Sequence, residues 1–408
     1  MSINTKNTWK GVEHMSSVEI KPGIHWVGAV DWNLRYFHGY LTPRGTSYNA
    51  YLIIDDKVTL VDTVKSYLYE EMIANIKAVI DPSKIDYLVV NHVEMDHSGC
   101  VPQMMNLVPD VQIVTSAKGE KGLKRYYKSG DKWDYMVLNS GEELNTGRYT
   151  SKFIQTPMVH WPDSMVTCIP EAKLLLSNDA FGQHIASCLR FDDELGWDLI
   201  REEAAKYYAN IVLPYGKQVN RAIKSLEELD LDMIAPSHGI IWRSHIFEIL
   251  NSYRQWAAHQ TKNKALIVYD TMWGSTKKIA LSLKEGLEAV GVPVVIRSLQ
   301  ASHVSEIMAD VLTSKAVLLG SPTLNNGMMP TVSAFLTYVK GLRPQNRIGL
   351  VFGSYGWGGQ GAKEASEIMG SFGWEMPQEY INIPYRPDQE ELEQVRQTGE
   401  KIGEAVKA

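Results

Sequence analysis

The stretch His92-Val-Glu-Met-Asp-His-Ser-Gly99 sets four potential metal ligands within six positions, close behind the apolar run Tyr87-Leu-Val-Val90. Ligand-type side chains at that density behind a strand read as a metal site, whereas any one of these histidines alone would read as a polar loop residue. His92, Glu94 and Asp96 alternate, and side chains at i, i+2 and i+4 of an extended segment share one face. Three ligands are therefore expected to converge on a continued strand, with His97 swinging in from the turn that follows.

The same pattern, an apolar strand with a ligand type at its carboxyl end, recurs three times. His160 lies in Met158-Val-His-Trp-Pro-Asp163, Asp179 in Leu176-Ser-Asn-Asp-Ala180, and His238 in Met233-Ile-Ala-Pro-Ser-His-Gly239. Open α/β sheets place their sites at such strand ends. Around these positions a hairpin is expected from residues 47–54 and 58–62 about the polar turn Asp55-Asp-Lys57, then a helix over 65–80 that stops before Asp81-Pro82. A strand at 87–90, a helix near 101–107, and strands at 111–115, 149–155, 165–168 and 173–176 follow, with a helical region over 199–229. Hairpins mixed with helices predict an α/β sandwich, sheets inside and helices outside.

At 408 residues the chain exceeds the usual single-core size, so two domains are expected, 1–260 and 261–408. A formal charge of −6, with no basic stripe, gives no reason to expect nucleic acid or an anionic membrane. Residues 1–10 lack the apolar segment of a secretory signal, and no later run approaches ~18 apolar residues, so the cytoplasm is the expected location. Cys100, Cys168 and Cys188 are odd in number and widely spaced, which predicts small buried residues rather than disulfides or a metal pair.

After a polar stretch at 257–264 the rhythm becomes regular β-then-α. Strands at 265–269, 292–296, 316–319, 348–352 and 380–383, alternating with helices that start near Ser275, Ser305, Thr331, Gly361 and Gln389, predict a doubly wound sheet of five parallel strands. Between its first strand and first helix lies Thr271-Met-Trp-Gly-Ser-Thr276, where hydroxyls and backbone N–H groups at a helix start form a phosphate cradle. No lysine follows the glycine, which argues against a nucleoside triphosphate. Gly320-Ser-Pro-Thr-Leu-Asn-Asn-Gly327 and Gly353-Ser-Tyr-Gly-Trp-Gly-Gly359 follow the third and fourth strands at the same sheet edge. There backbone groups can bond a flat heteroaromatic ring, and Trp273, Tyr355 or Trp357 can stack on it. Gly356-Trp-Gly-Gly-Gln-Gly361 satisfies G-x-G-x-x-G. It follows the fourth strand, however, and no fitting acid about 20 residues on ends a next strand, so no dinucleotide is assigned.

These residues carry a family resemblance. His92-x-Glu94-x-Asp96-His97 with distant His160, Asp179 and His238 is similar to the ligand pattern of the metallo-β-lactamase fold, an αββα sandwich that binds two metals. Glu94 departs from the zinc hydrolases of that fold, which carry histidine there, and a carboxylate favours iron. The set resembles that of the flavodiiron proteins, and the second half resembles flavodoxin; the implied class is α/β, a metallo-β-lactamase-like sandwich followed by a flavodoxin-like five-stranded parallel sheet. The resemblance implies His92, Glu94 and His160 on one iron, Asp96, His97 and His238 on the other, and Asp179 bridging, with His97 the least secure ligand. Four neutral histidines and three carboxylates would offset three of the four charges of two ferrous ions, and a bridging hydroxide the fourth. By the same resemblance His38 and Tyr207 line the distal side of the pocket as hydrogen-bond or proton donors. Among the remaining histidines, which show no partner pattern, His184 in Phe181-Gly-Gln-His184 is the one expected to stand behind the ligands.

The flavodoxin resemblance implies FMN held by Thr271, Met272, Trp273, Gly274, Ser275 and Thr276 in the first loop. Pro322, Thr323, Leu324 and Asn325 would serve in the second, and Ser354, Tyr355, Gly356, Trp357, Gly358 and Gly359 in the third. The implied activity is an oxidoreductase that takes electrons, from rubredoxin by family pattern, through FMN to a non-haem di-iron centre, reducing O2 to water or NO to N2O. No Cys-x-x-Cys is present, so the simple two-domain class is expected, assembled as a head-to-tail homodimer or a dimer of dimers. Two other readings stand beside it: a zinc hydrolase with a flavodoxin-like regulatory domain, and a non-catalytic electron carrier or gas sensor.

Overall fold

The computed structural model describes residues 17–408, so the signal-peptide expectation at residues 1–10 lies outside the described residues. The chain forms two compact units. Of the described residues, those up to Leu34, Arg44–Trp197 and Glu227–Ile246 form the first, and Arg35–Pro43, Asp198–Leu226 and Phe247–Ala408 the second. The units interleave along the chain, a pattern that sequence position alone does not convey.

The first unit is built on two sheets. One runs in chain order through Val18–Lys21 (β1), Ile24–Trp26 (β2), Tyr51–Ile53 (β3), Val58–Val61 (β4), Ile85–Val89 (β5), Gln112–Ser116 (β6) and Tyr135–Leu138 (β7). The other runs through Glu143–Asn145 (β8), Thr150–Gln155 (β9), Met165–Ile169 (β10), Leu174–Asn178 (β11) and Met233–Pro236 (β12). The expected hairpin is β3–β4, antiparallel with Tyr51 opposite Val61. Period-two alternation decides what each face does. Leu52, Leu60 and Leu88 join a core with Met72, Ile76, Met104 and Leu123, which come from the helices Tyr69–Lys77, Val101–Leu107 and Ala117–Tyr126. Tyr51, Val61 and Val89 turn the other way and pack with Phe153, Met165, Leu176 and Ala235 of the second sheet.

In the second unit, Lys262–Tyr269 (β13), Val294–Ser298 (β14), Ser314–Leu324 (β15), Ile348–Tyr355 (β17) and Ile381–Pro384 (β18) form a parallel sheet of order β14-β13-β15-β17-β18. The short Gly327–Met328 (β16) pairs antiparallel with the end of β15, an addition to the five expected strands. The helices begin at Ser275, Val304, Pro330, Gln360 and Gln389, within one residue of expectation. Ile267, Leu318, Leu350 and Phe352 form the centre of this core against Ile279 and Leu283 of Ser275–Ala289. Segments before residue 260 also belong here. Leu41 N donates to Ser305 Oγ at 3.1 Å, and the Asn210 side chain joins Ser305 O at 2.8 Å and Tyr338 Oη at 2.9 Å.

Among the described residues no helix is long and apolar enough to cross a membrane. Cys100 and Cys168 are buried as expected, and burial pushes their thiols up to about 12 and about 11. Cys188 is exposed, contrary to expectation.

Candidate metal centre

β5 ends at Val89, and the ligands do not continue it as a strand. Glu94 (φ −55°, ψ 143°) begins the short helix Met95–Ser98, with His97 N donating to Glu94 O at 2.9 Å. This corrects the expectation of three alternating ligands on one strand face, since the strand ends before His92 and Asp96 lies in the helix. Neighbours on a strand face opposite ways, while consecutive helical residues diverge by about 100°. The helix therefore lets Asp96 and His97 serve one pocket. His160 comes from the β9–β10 connection, Asp179 directly follows β11, and His238 lies two residues beyond β12.

The seven side chains fall into two groups, His92, Glu94, His160 and Asp179 in one and Asp96, His97 and His238 in the other, with ligand atoms within 4.8 Å of one another in each. In the first, Glu94 Oε2 stands 3.4 Å from both His92 Nε2 and His160 Nε2, and Asp179 Oδ2 is 3.6 and 3.2 Å from the same atoms. In the second, Asp96 Oδ1 is 3.5 Å from His97 Nε2, and Asp96 Oδ2 is 3.3 Å from His238 Nε2. Asp179 Oδ1 turns to this group, 3.0 Å from His97 Nε2 and 3.4 Å from His238 Nε2. Asp179 thus offers one oxygen to each group.

These separations fit metal coordination. Donors bound at about 2.1 Å stand about 3.0 Å apart across an octahedral edge and about 3.4 Å across a tetrahedral one. His92 Nε2, both Asp96 oxygens, His97 Nε2 and Asp179 Oδ2 are buried without an aligned hydrogen-bond partner, an arrangement that is costly unless cations complete it. Burial disfavours charge on His160 and His238, but Asp179, with Glu94 and Asp96 respectively, raises them to about 9 and about 10. Burial likewise disfavours the ionised carboxylates, yet the histidines hold Asp96 and Asp179 below the usual range. A cluster so anionic takes up either protons or metal ions, so metal loading weakens as pH falls.

Two buried carboxylates that sequence reasoning passed over stand behind the ligands. Asp163 Oδ2 accepts from His92 Nδ1 at 2.9 Å and from Val93 N at 2.8 Å. Asp62, at the end of β4, accepts from Asn91 N at 2.8 Å, Asn91 Nδ2 at 3.1 Å and Asn178 Nδ2 at 3.3 Å, and Asn178 Nδ2 also meets Ser237 Oγ at 3.1 Å. Asn91, Asn178 and Ser237 each immediately precede a ligand, so Asp62 ties three ligand-bearing segments together across both sheets. Its position behind an apolar strand was the only sequence signal. His184, fully buried, pairs Nδ1 with Thr46 Oγ1 at 2.8 Å, its ring 4.9 Å from that of His238.

His38 and Tyr207 belong to the second unit. Tyr207 is buried at the end of the helix Trp197–Tyr207, and His38 is exposed with a left-handed φ of 50°. In the same unit the three expected cofactor loops emerge at the carboxyl ends of β13, β15 and β17. Gly274 (φ 86°) opens the helix Ser275–Ala289, its N–H donating to Thr271 Oγ1 at 3.1 Å, and Thr276 Oγ1 meets Ser354 Oγ at 2.9 Å. The second loop is tighter than expected: β15 runs through Pro322, Thr323 and Leu324, and only Asn325-Asn326, both at positive φ, make the turn. Trp273 and Trp357 are 96% and 93% exposed, apolar faces placed on the first and third loops where a flat ring can stack.

Two family models match the sequence, one described as ODP family beta lactamase over residues 46–239 and one described as flavodoxin over residues 267–399. The chain is 46% identical over 394 residues to the nitric oxide reductase of Moorella thermoacetica, covering 95% of this chain and 98% of that protein. The solved structure of the rubredoxin oxygen:oxidoreductase from Desulfovibrio gigas matches with a TM-score of 0.93 at 41% identity, over 96% of this chain and 99% of that chain. The flavodiiron protein from Giardia intestinalis matches with a TM-score of 0.94 at 32% identity, over 97% and 98%.

Proposed function

The chain belongs to the flavodiiron family of oxidoreductases, and from that membership we propose a cytoplasmic enzyme that reduces O2 to water or NO to N2O with electrons from rubredoxin. Its modules are residues 1–260, which bear the metals, and 261–408, which bear the flavin. The observation that supports this most is the placement of Asp179, one oxygen toward each of two ligand groups, in a chain that also carries a flavodoxin unit.

His92, Glu94 and His160 would hold one iron, Asp96, His97 and His238 the other, and Asp179 both. The first-loop residues Thr271 to Thr276 would hold the FMN phosphate, with Pro322 to Asn325 and Ser354 to Gly359 around the ring. When bound, flavin and iron supply electron transfer and reduction of the gas. The protein's share is to orient donors, exclude water and deliver protons. His38 and Tyr207 are proposed as the groups that hydrogen-bond the diatomic or give it a proton. The seven-residue set would suffice for two ions without further protein donors, and Glu94 makes it harder than an imidazole would, which favours iron over zinc.

The active form is proposed to be a head-to-tail homodimer, or a dimer of such dimers. Parallel anaerobic assays with reduced rubredoxin, on protein of known iron and FMN content, test the reading. Consumption of O2 or NO is expected, together with elution as a dimer or larger on a sizing column. Failure to consume either gas would sink the activity, and a fully active monomer would sink the assembly.

A further inference from the structure

We propose that Asp270 is the positioning residue of the flavin cradle, a buried carboxylate that fastens the first loop from behind. The inference rests on the flavin reading above and assigns a residue outside the three loops. Asp270 stands between the end of β13 and Thr271, where the first loop begins, and is 1% exposed. Ala265, Ile267 and Tyr269 turn to the core formed with Ser275–Ala289. By alternation Asp270 turns to the opposite face of the sheet, away from the helix start that would meet the phosphate. A carboxylate placed there serves the shape of the loop and not the attraction of an anion.

Its two oxygens gather donors from three segments. Oδ1 accepts from Thr271 N at 2.6 Å and from Gln300 Nε2 at 2.7 Å, and Oδ2 accepts from Thr331 Oγ1. Gln300 Nε2 also donates to Thr271 O at 2.7 Å, so the carboxylate and the amide together hold both backbone polar groups of Thr271. Thr331 lies in the first turn of the helix Pro330–Leu342, whose N-terminal dipole favours a negative charge. Asp270 is itself fixed, its N–H donating to Gly320 O on β15 at 3.0 Å. Thr271 Oγ1 in turn accepts from Gly274 N at 3.1 Å, which carries the constraint along the loop to the residue that opens the helix. A carboxylate only accepts, and its bonds are roughly twice as strong as those of a neutral acceptor. With the N–H groups of Thr271 and Gly274 spent in this way, those of Met272, Trp273, Ser275 and Thr276 are left to meet a phosphate.

Stripping flavin from the purified full chain and titrating back FMN or riboflavin, with quenching of flavin fluorescence as the readout, tests this. Asp270→Ala should weaken FMN binding about 10- to 100-fold, while riboflavin, which lacks the phosphate, should lose less. Asp270→Asn keeps an acceptor for Thr271 N and should recover part of the FMN affinity. Gln300→Leu leaves the carboxylate in place but removes the bond to Thr271 O, and should give the same selective loss at smaller size. Unchanged FMN affinity in Asp270→Ala, or an equal loss for both flavins as a merely structural role would give, would overturn the proposal. Where Asp270→Ala does not fold, unchanged FMN affinity in Gln300→Leu would overturn it. An unmodified chain that binds no FMN would overturn the flavin reading itself.

Discussion

Glu94 is the residue proposed to set the choice of metal. Its Oε2 stands 3.4 Å from two imidazole nitrogens, a position where a third imidazole would build a softer, less anionic half-site. Glu94→His should therefore shift the bound metal from iron toward zinc and abolish gas reduction, as read by metal analysis of protein produced with both metals supplied. Unchanged iron content and activity would show that Glu94 does not discriminate. The seven side chains that cluster stood out in the sequence because their residue types are rare behind apolar strands and gather there. Asp163 and Asp62 did not, because a carboxylate gains its meaning from its partner. His92 is 71 residues from Asp163, and Asn178 is 116 from Asp62.

At the scale of elements, turns carry the site, and two glycines separate close packing from mere backbone shape. Gly239 follows His238 at φ 77°, and a Cβ there would lie 1.8 Å from Gln183 Oε1 and 2.3 Å from Gln183 O. Gly274 has φ 86° with nothing within 4 Å of such a Cβ. Gly274→Ala should cost only the left-handed penalty of about 1–2 kcal/mol and leave iron content unchanged. Gly239→Ala should destabilise by more than that and lower iron content by displacing His238. Equal thermal shifts with equal iron in the two variants would refute the contrast. The regular β-then-α rhythm of the second half was legible because each helix follows its strand and hides one face. The helix Met95–Ser98 was not, since His-x-Glu-x-Asp fits a strand's alternation as well as it fits an extended entry into a helical turn.

At the scale of the whole molecule, sequence order conveys two modules, but the compact units interleave. The bonds that draw Arg35–Pro43 and Asp198–Leu226 into the second unit join residues 264, 95 and 128 positions apart, beyond the reach of any local pattern. The family assignment rests on relatives and solved structures matched over nearly the whole chain, and the proposal of a flavin-to-iron enzyme rests on that membership together with the two-group cluster and the flavodoxin unit. Quantifying metal and flavin per chain in the protein as purified tests that claim most directly. Two irons and one FMN per chain are expected; zinc in the cluster with no bound flavin would overturn the claim.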